Sequence, residues 1–414
     1  VGVALPIRVA SCAAMGGATD TAPATTPPFP NNGPGLRPSF DGVELLLLDH
    51  ATPPQKLLAH IDKLGTEIEV AAKNPAADVN EELPWPRMTP ELTELLTLEA
   101  ITTWDYDLIR LNTVTNGKPL ALLAYAIIDS YGLLEKLKID VTKLKRYLLS
   151  FEATYNTCMY HNPMHAADVM HAFAYLLRGS LAAAMSSEEL LIALLAGPAH
   201  DLGHPGVNNA LLIKQKHPVT VTFPTSVLEN HHAALAVAWM EQPDKDVLSF
   251  LDGRTDGAKK KMELRQMLKD LVLYTDMSLH GKIMERLNAL ESKKQSLDMT
   301  KFEDRLLTLQ TLLHAADLSN PCKKWEIHIQ WTHAIVAEFF SQGDLERHMG
   351  LEVTPMLDRT LGCGRTSQKG FFIHFIRPLF VLCGQVLPQI KGACDMLVGK
   401  LDANVERWVQ LGFY

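Results

Sequence analysis

The residues able to do chemistry gather in a few short phrases. Histidine is frequent, at sixteen in 414 residues, and clustered. The first phrase runs Tyr160-His161-Asn162-Pro163-Met164-His165-Ala166-Ala167-Asp168. Asn162 is a strong N-cap and Pro163 fits a first helical position. A helix starting there puts His165 and Asp168 on one face of its first turns, with His161 just before the cap, so imidazoles collect at a helix mouth. A histidine pair at this spacing is, by itself, equally a capping or surface feature. The second phrase is His200-Asp201-Leu202-Gly203-His204-Pro205-Gly206, after the apolar stretch Leu190 to Ala196. An adjacent His and Asp can offer a nitrogen and a carboxylate to one metal, and a carboxylate can bridge two. The glycines and proline let the backbone turn sharply around such a centre. His, Asp and water suit Zn²⁺, Mn²⁺ or Mg²⁺.

Three further phrases are weaker alone. In Glu229-Asn230-His231-His232, consecutive histidines point to different sides of a helix, so one is a core residue and one supports a site. Asp317 ends an apolar helix containing Leu306, Leu309, Leu312 and Leu313, and Pro321 stops it. A buried carboxylate there needs a partner, and a metal would serve. A solvated helix-end aspartate is the alternative. Thr275-Asp276 follows Leu268 to Leu273 and also reads as a turn. Trp331, Phe339 and Phe340, like Phe371, Phe372 and Phe375, have helical spacing and read as core; Gln368 carries no signal by itself.

The elements that must position these residues are helical. Beyond about Glu91 apolar residues recur at helical spacing, as in Leu120, Leu123, Ala124, Ile127, Tyr131 and Leu134. Strict Val/Ile/Thr alternation is nearly absent; Val219 to Phe223 is the best run, and it is short. The expected fold is all-α, with residues 85–414 as one large domain and no internal repeat. Residues 1–84 read as a linker, largely disordered, with a possible short helix between Val43 and Val70. The span 16–40 crowds Pro, Gly, Thr and Ala and cannot offset its ordering entropy by burial. This linker is expected to be dispensable for chemistry.

Composition removes several function classes. Lys plus Arg is 39 and Asp plus Glu 47, a formal charge of −8. That gives no general footprint for nucleic acid and no attraction to an anionic membrane. An anionic substrate would therefore need a local positive device, such as a metal ion. No apolar run reaches the roughly 18 residues of a membrane span, and Val1 to Met15 lacks a basic-then-apolar signal layout. The six cysteines form no C-x-x-C pair, which favours reduced thiols and a cytoplasmic location.

Taken together, HNPMHAADV, AHDLGHPGVNN, SVLENHH, TDMS, ADLSNP, QWTHAIVAEFFSQGD and SQKGFF resemble the class I cyclic nucleotide phosphodiesterases. They occur in that family's order over roughly residues 91–390; a kinetoplastid member is the expectation. The resemblance implies a compact multi-helix fold with a pocket over two metals. It implies Zn²⁺ held by His165, His200, Asp201 and Asp317, with Asp201 bridging to a second ion, Mg²⁺ or Mn²⁺. His204, Glu229 and Thr275 would orient waters on that ion. His161 would protonate the leaving O3′. A helix N-terminus disfavours imidazolium, so a carboxylate or the phosphate must compensate. The substrate would be a 3′,5′-cyclic nucleotide, cAMP foremost and cGMP as a second candidate.

In the implied purine pocket, Gln368 would bond the base edge, and Phe371 would stack on it with Ile335 opposite. Phe339 and Tyr160 would line the walls, and Asn320 would favour adenine. Gln368 alone cannot choose between bases, because an amide can flip. One phrase departs from the family: QKHPVTVTF, Gln215 to Phe223, which bears on a loop shape rather than on the metal ligands. An HD-type phosphohydrolase would share His200-Asp201 and Asp317 without needing Gln368 and Phe371. A silent scaffold would have lost a ligand, and none is missing. A di-iron oxidase would want Glu-x-x-His pairs on two helices.

Overall fold

A computed structural model describes residues 51–73, 83–361 and 368–411, and every regular element among them is a helix. Those of eight residues or more are numbered here in chain order. The first two are α1, Pro54–Ile61, and α2, Thr66–Lys73. Next come α3 Leu120–Ser130, α4 Val141–Thr154, α5 Pro163–Leu177, α6 Ser187–Ala199 and α7 Val227–Met240. Then follow α8 Gly257–Leu273, α9 His280–Ser292, α10 Phe302–Asp317 and α11 Trp325–His348. Last are α12, Gln368–Val386, with a π-helical stretch over Phe372–Ile376, and α13, Lys391–Gln410. The described residues belong to one compact unit. No single helix among them is long and apolar enough to cross a membrane.

The centre is α5, packed against α3, α6 and α10. Such a helix must be apolar on every side, and Val169, Met170, Phe173, Leu176 and Leu177 are all buried. At the α5–α6 crossing the backbones nearly touch. A Cβ on Gly197 would lie 2.9 Å from the Met170 Cα, so only glycine fits. Ser186 and Glu189 form a capping box that starts α6. Glu189 also takes Arg305 of α10, Nη2 to Oε1 at 2.8 Å, joining α6 to α10.

Residues 51–73 lie in the stretch that composition assigns to a linker with one short helix between Val43 and Val70; the structure has two there, α1 and α2, both folded against the rest. Leu57, Ile61 and Leu64 are buried in a second small apolar cluster with Val207, Leu211, Val227 and Leu345. Their i, i+4, i+7 spacing is the helical signal, diluted by the Pro- and Thr-rich sequence around it. The span 16–40 itself lies outside the described residues. Val219 to Phe223, the best strand candidate, starts with a helical turn, Val219–Thr222. The His217 Nδ1 accepts the Val219 N–H at 3.2 Å, and Val219 is buried in the same small cluster; local capping and packing outweigh a short alternation.

Candidate functional site

Three helix ends converge on one point. α5 begins there: the Asn162 Oδ1 accepts the Met164 and His165 N–H groups at 2.9 and 3.2 Å. That cap aims His165 inward from the first turn. α6 ends there, with His200 as its C-cap and Asp201 as the first residue of the following turn. α10 ends there on Asp317. Gly203 and Gly206, at φ +75° and +82°, bend the loop after Asp201 in a way that side-chain-bearing residues rarely adopt.

The His165 Nε2 lies 3.1 Å from Oδ1 of Asp317 and 3.5 Å from Oδ2 of Asp201. The His200 Nε2 lies 3.4 and 3.0 Å from the same two oxygens. Both imidazoles are fully buried. The His200 Nδ1 donates to the Gly197 carbonyl at 2.7 Å, which leaves Nε2 facing the carboxylates. That nitrogen is buried and has no hydrogen-bond partner. An imidazole nitrogen held against two carboxylates calls for positive charge between them, as a proton on the ring or as a metal ion. Burial would lower the His200 pKa, but Asp201 and Asp317 outweigh it and hold it well above the ordinary histidine range. Two imidazole nitrogens and two carboxylate oxygens are a donor set that zinc favours.

Asp201 faces two groups at once. Its Oδ2 belongs with His165 and His200, whereas its Oδ1 lies 3.9 Å from the His232 Nε2. The His232 Nδ1 donates to the Leu202 carbonyl at 2.6 Å. Candidate ligand atoms of His165, His200 and Asp317 lie within 4.8 Å of one another, and so do those of Asp201, His204 and His232. The arrangement offers two adjacent cation positions joined through one carboxylate.

His161 faces this group from the loop before α5. Its ring stacks on His204 at 3.9 Å between centroids, and its Nε2 lies 4.0 Å from Oδ2 of Asp201. Its Nδ1 bonds the Oε1 of Glu338, a buried residue of α11. The Glu338 Oε2 accepts the Tyr160 and His161 backbone N–H groups at 2.8 and 3.2 Å. Burial by itself would lower the His161 pKa; Glu338 and Asp201 overcome it and raise it to about 9. Burial would likewise raise Glu338, but the His161 charge and hydrogen bond bring it down to about 2. So His161 carries its proton at neutral pH although it precedes a helix N-terminus. Glu338 is the compensating carboxylate, and sequence reasoning missed it. It stands in the Ala-Glu-Phe-Phe run of a helix, where a lone acid reads as solvated, and its partner is 177 residues away.

The other singled-out residues are placed as follows. Glu229 accepts both contacts of the Asn209 amide, at 3.3 and 3.0 Å. Burial and Asp276 raise its pKa to about 7. The Thr275 hydroxyl is buried and donates to the Val272 carbonyl at 2.8 Å. Asp168 shares the start of α5 with His165 but takes a different partner, the buried Lys323, at 3.0 Å. Tyr160 lies with its ring 4.3 Å from that of His165 and its hydroxyl accepting from Asn320 Nδ2 at 2.6 Å. The Asn320 Oδ1 is buried with no partner. Trp331 on α11 sets its ring edge-on to Tyr160 at 5.7 Å and His165 at 5.9 Å. Ile335 and Phe339 follow at i+4 and i+8 on the same face. Gln368 is buried and Phe371 half-buried at the start of α12, where Phe371 stacks on Phe375 at 5.3 Å.

Comparisons with known proteins point to one family. The profile of the 3′5′-cyclic nucleotide phosphodiesterase family matches residues 160–397. A rat protein, 3′,5′-cyclic-AMP phosphodiesterase 4C, is 37% identical over 292 residues, which cover 68% of this chain and 53% of that protein. A Caenorhabditis elegans protein, probable 3′,5′-cyclic phosphodiesterase pde-1, is 33% identical over 302 residues, 72% of this chain and 44% of that one. The chain thus spans about half the length of the curated relatives it matches. Among solved structures, the phosphodiesterase domain of the RhoPDE fusion protein from the choanoflagellate Salpingoeca rosetta aligns with a TM-score of 0.68 at 28% identity. That alignment covers 77% of this chain and 97% of that one.

Proposed function

This chain belongs to the 3′5′-cyclic nucleotide phosphodiesterase family, and from that premise we propose that it hydrolyses 3′,5′-cyclic AMP to the 5′-monophosphate, ending a second-messenger signal. The observation that carries the reading is the convergence of His165, His200, Asp201 and Asp317 beside a His161–Glu338 pair. His165, His200, Asp201 and Asp317 would hold Zn²⁺. Asp201 would also reach Mg²⁺ or Mn²⁺, with His204, His232, Glu229 and Thr275 around that second position. Bound there, the two ions would supply an activated water and offset the charge of the cyclic phosphate.

The chain's own residues supply the rest. Attack on phosphorus in line with O3′ forms the new P–O bond and breaks the P–O3′ bond. The leaving oxygen takes its proton from the His161 Nε2, while Glu338 holds Nδ1 and so keeps the ring oriented and charged. For the base, the buried and unpartnered Asn320 Oδ1 is an acceptor. With Nδ2 donating to the Tyr160 hydroxyl, it would accept from the 6-amino group of adenine, where guanine carries the acceptor O6 instead. That supports cAMP over cGMP. Phe371 and Ile335 would sandwich the purine, Gln368 would bond its edge, and Phe339 and Tyr160 would line the walls. Four buried, unpaired thiols, Cys158, Cys322, Cys383 and Cys394, suit a reducing cytoplasm.

Hydrolysis of both nucleotides by the purified full chain tests this reading. Turnover of cAMP with a kcat/KM above that for cGMP is expected. Preference for cGMP would overturn the adenine assignment, and no turnover of either would overturn the function.

A further inference from the structure

The helices α1 and α2 precede the residues that the family profile matches, 160–397, and nothing in the mechanism above uses them. α2 packs along α7, and two further sets of contacts fall on the parts that surround His161. One set reaches the loop that carries Asp201 and His204. The His60 Nδ1 donates to the Pro205 carbonyl at 3.3 Å. The Lys63 Nζ donates to the Asn156 Oδ1 at 3.3 Å. The same Asn156 side chain donates to the Gly203 and His204 carbonyls, at 3.2 and 3.1 Å. Leu57 packs onto Gly206 so closely that a Cβ there would lie 3.1 Å from its Cδ2. The Glu67 Oε2 lies 2.7 Å from where a Cβ on Gly203 would be.

A second set reaches α11. The Thr52 N–H donates to the Ser341 Oγ at 2.9 Å, one turn beyond Glu338, and the Ser341 hydroxyl donates to the Ala337 carbonyl at 2.8 Å. Leu57, Ile61 and Leu64 share one apolar cluster with Val207 of the loop and Leu345 of α11.

These two sets of contacts land on the two walls between which His161 sits. His204 stacks on one face of its ring, and Glu338 bonds its Nδ1. We infer that residues 51–73 are a positioning strap for the catalytic site: they hold the loop of Asp201 and His204 in register with the helix of Glu338, and Asn156 relays that hold to the loop backbone. The strap touches neither substrate nor the proposed metal ligands. It acts through the carbonyls of residues 203, 204 and 205 and through the packing of Gly206 and Val207. The functional unit then begins at about residue 51, not at residue 85. The reason is geometric. A loop with two left-handed glycines has few intrinsic restraints, and displacement of a catalytic group by about 1 Å can cost about 10²-fold in rate.

The kinetic part of this inference rests on the proposed hydrolysis, so its test joins turnover to a measurement that needs none. In the full chain, Leu57→Ala/Ile61→Ala loosens the strap, and Asn156→Ala cuts the relay with the strap left docked. Hydrogen exchange is followed at the amides of 54–73 and of 201–207, with kcat, KM and metal content measured on the same samples. Loosening the strap is expected to speed exchange in 201–207 about tenfold. It should lower kcat for cAMP about 10-fold, with KM within about twofold and metal content unchanged. Asn156→Ala is expected to reproduce the loop exchange and the kcat loss without faster exchange in 54–73. Combining the changes should cost less than the product of the two separate losses, because they act through one loop.

Faster exchange in 54–73 with loop exchange and kcat as in the parent would overturn the proposal. So would a kcat that falls only in proportion to metal content. If the double variant does not fold, Asn156→Ala and His60→Phe decide by the same readouts. If the parent does not turn over cAMP, the proposed function fails and the exchange measurement still decides the strap.

Discussion

At position 161 an asparagine keeps a polar side chain but cannot hold a proton for the leaving oxygen. His161→Asn is expected to lower turnover by about 10²-fold or more, the range of general acid catalysis, with metal content by elemental analysis unchanged. Loss of metal together with rate would instead make His161 a ligand. Its partner gives a pH test. Glu338 raises the His161 pKa to about 9, so the acid form persists through neutral pH and is lost as pH rises past that value. Glu338→Gln removes the largest raising influence, and the imidazole then loses its proton at lower pH. The rate deficit of Glu338→Gln should therefore be larger at pH 8 than at pH 6; an equal deficit at both would show that Glu338 does not govern the proton. Asn320→Ala should lower kcat/KM for cAMP more than for cGMP, since the group at purine position 6 is a donor to the Oδ1 in adenine and an acceptor in guanine. At this scale the histidine and aspartate phrases were legible because each is local: a cap and its helix, or a helix end and its loop. Glu338 was not, because its role exists only once α11 lies beside the mouth of α5.

The helices owe their mutual placement to a few unforgiving contacts. Lys323 and Asp168 are both buried, 3.0 Å apart, and the lysine ammonium also lies 4.3 Å from the centre of the Trp104 ring. Lys323→Met leaves the Asp168 carboxylate buried without its cation, which is expected to cost about 3–5 kcal/mol of stability in denaturant titration. A loss under about 1 kcal/mol would show that the carboxylate finds another cation or water there. The sequence pattern reads Asp168 as sharing a face with His165, which is true of the helix; which neighbour each side chain meets is decided by the segment after Asp317. The same limit applies to α1 and α2. Their apolar spacing is visible, but a composition rich in proline and threonine on either side outweighs three leucine and isoleucine positions until a surface is present to receive them.

Over the whole molecule, the all-α class follows directly from the 3.6-residue period of the long apolar stretches, and the structure contains only helices among the described residues. What periodicity does not contain is the order in which helix ends meet. His165, His200 and Asp317 come from helices separated by up to 152 residues, and their convergence is a property of packing at the α5–α6–α10 centre. The resemblance of the seven phrases to one enzyme family stood in for that missing information, because a family carries its packing with it. In the proposed function, hydrolysis depends on metals held at this convergence. The most direct test of that dependence is cAMP turnover by the purified full chain, stripped by chelator and then titrated with Zn²⁺ and Mg²⁺, beside Asp201→Ala treated in the same way. The stripped parent should lose turnover and regain it with metal, while Asp201→Ala, having lost the carboxylate shared by both positions, should stay inactive throughout. Undiminished hydrolysis by the stripped parent, or near-parent turnover by Asp201→Ala, would contradict the account.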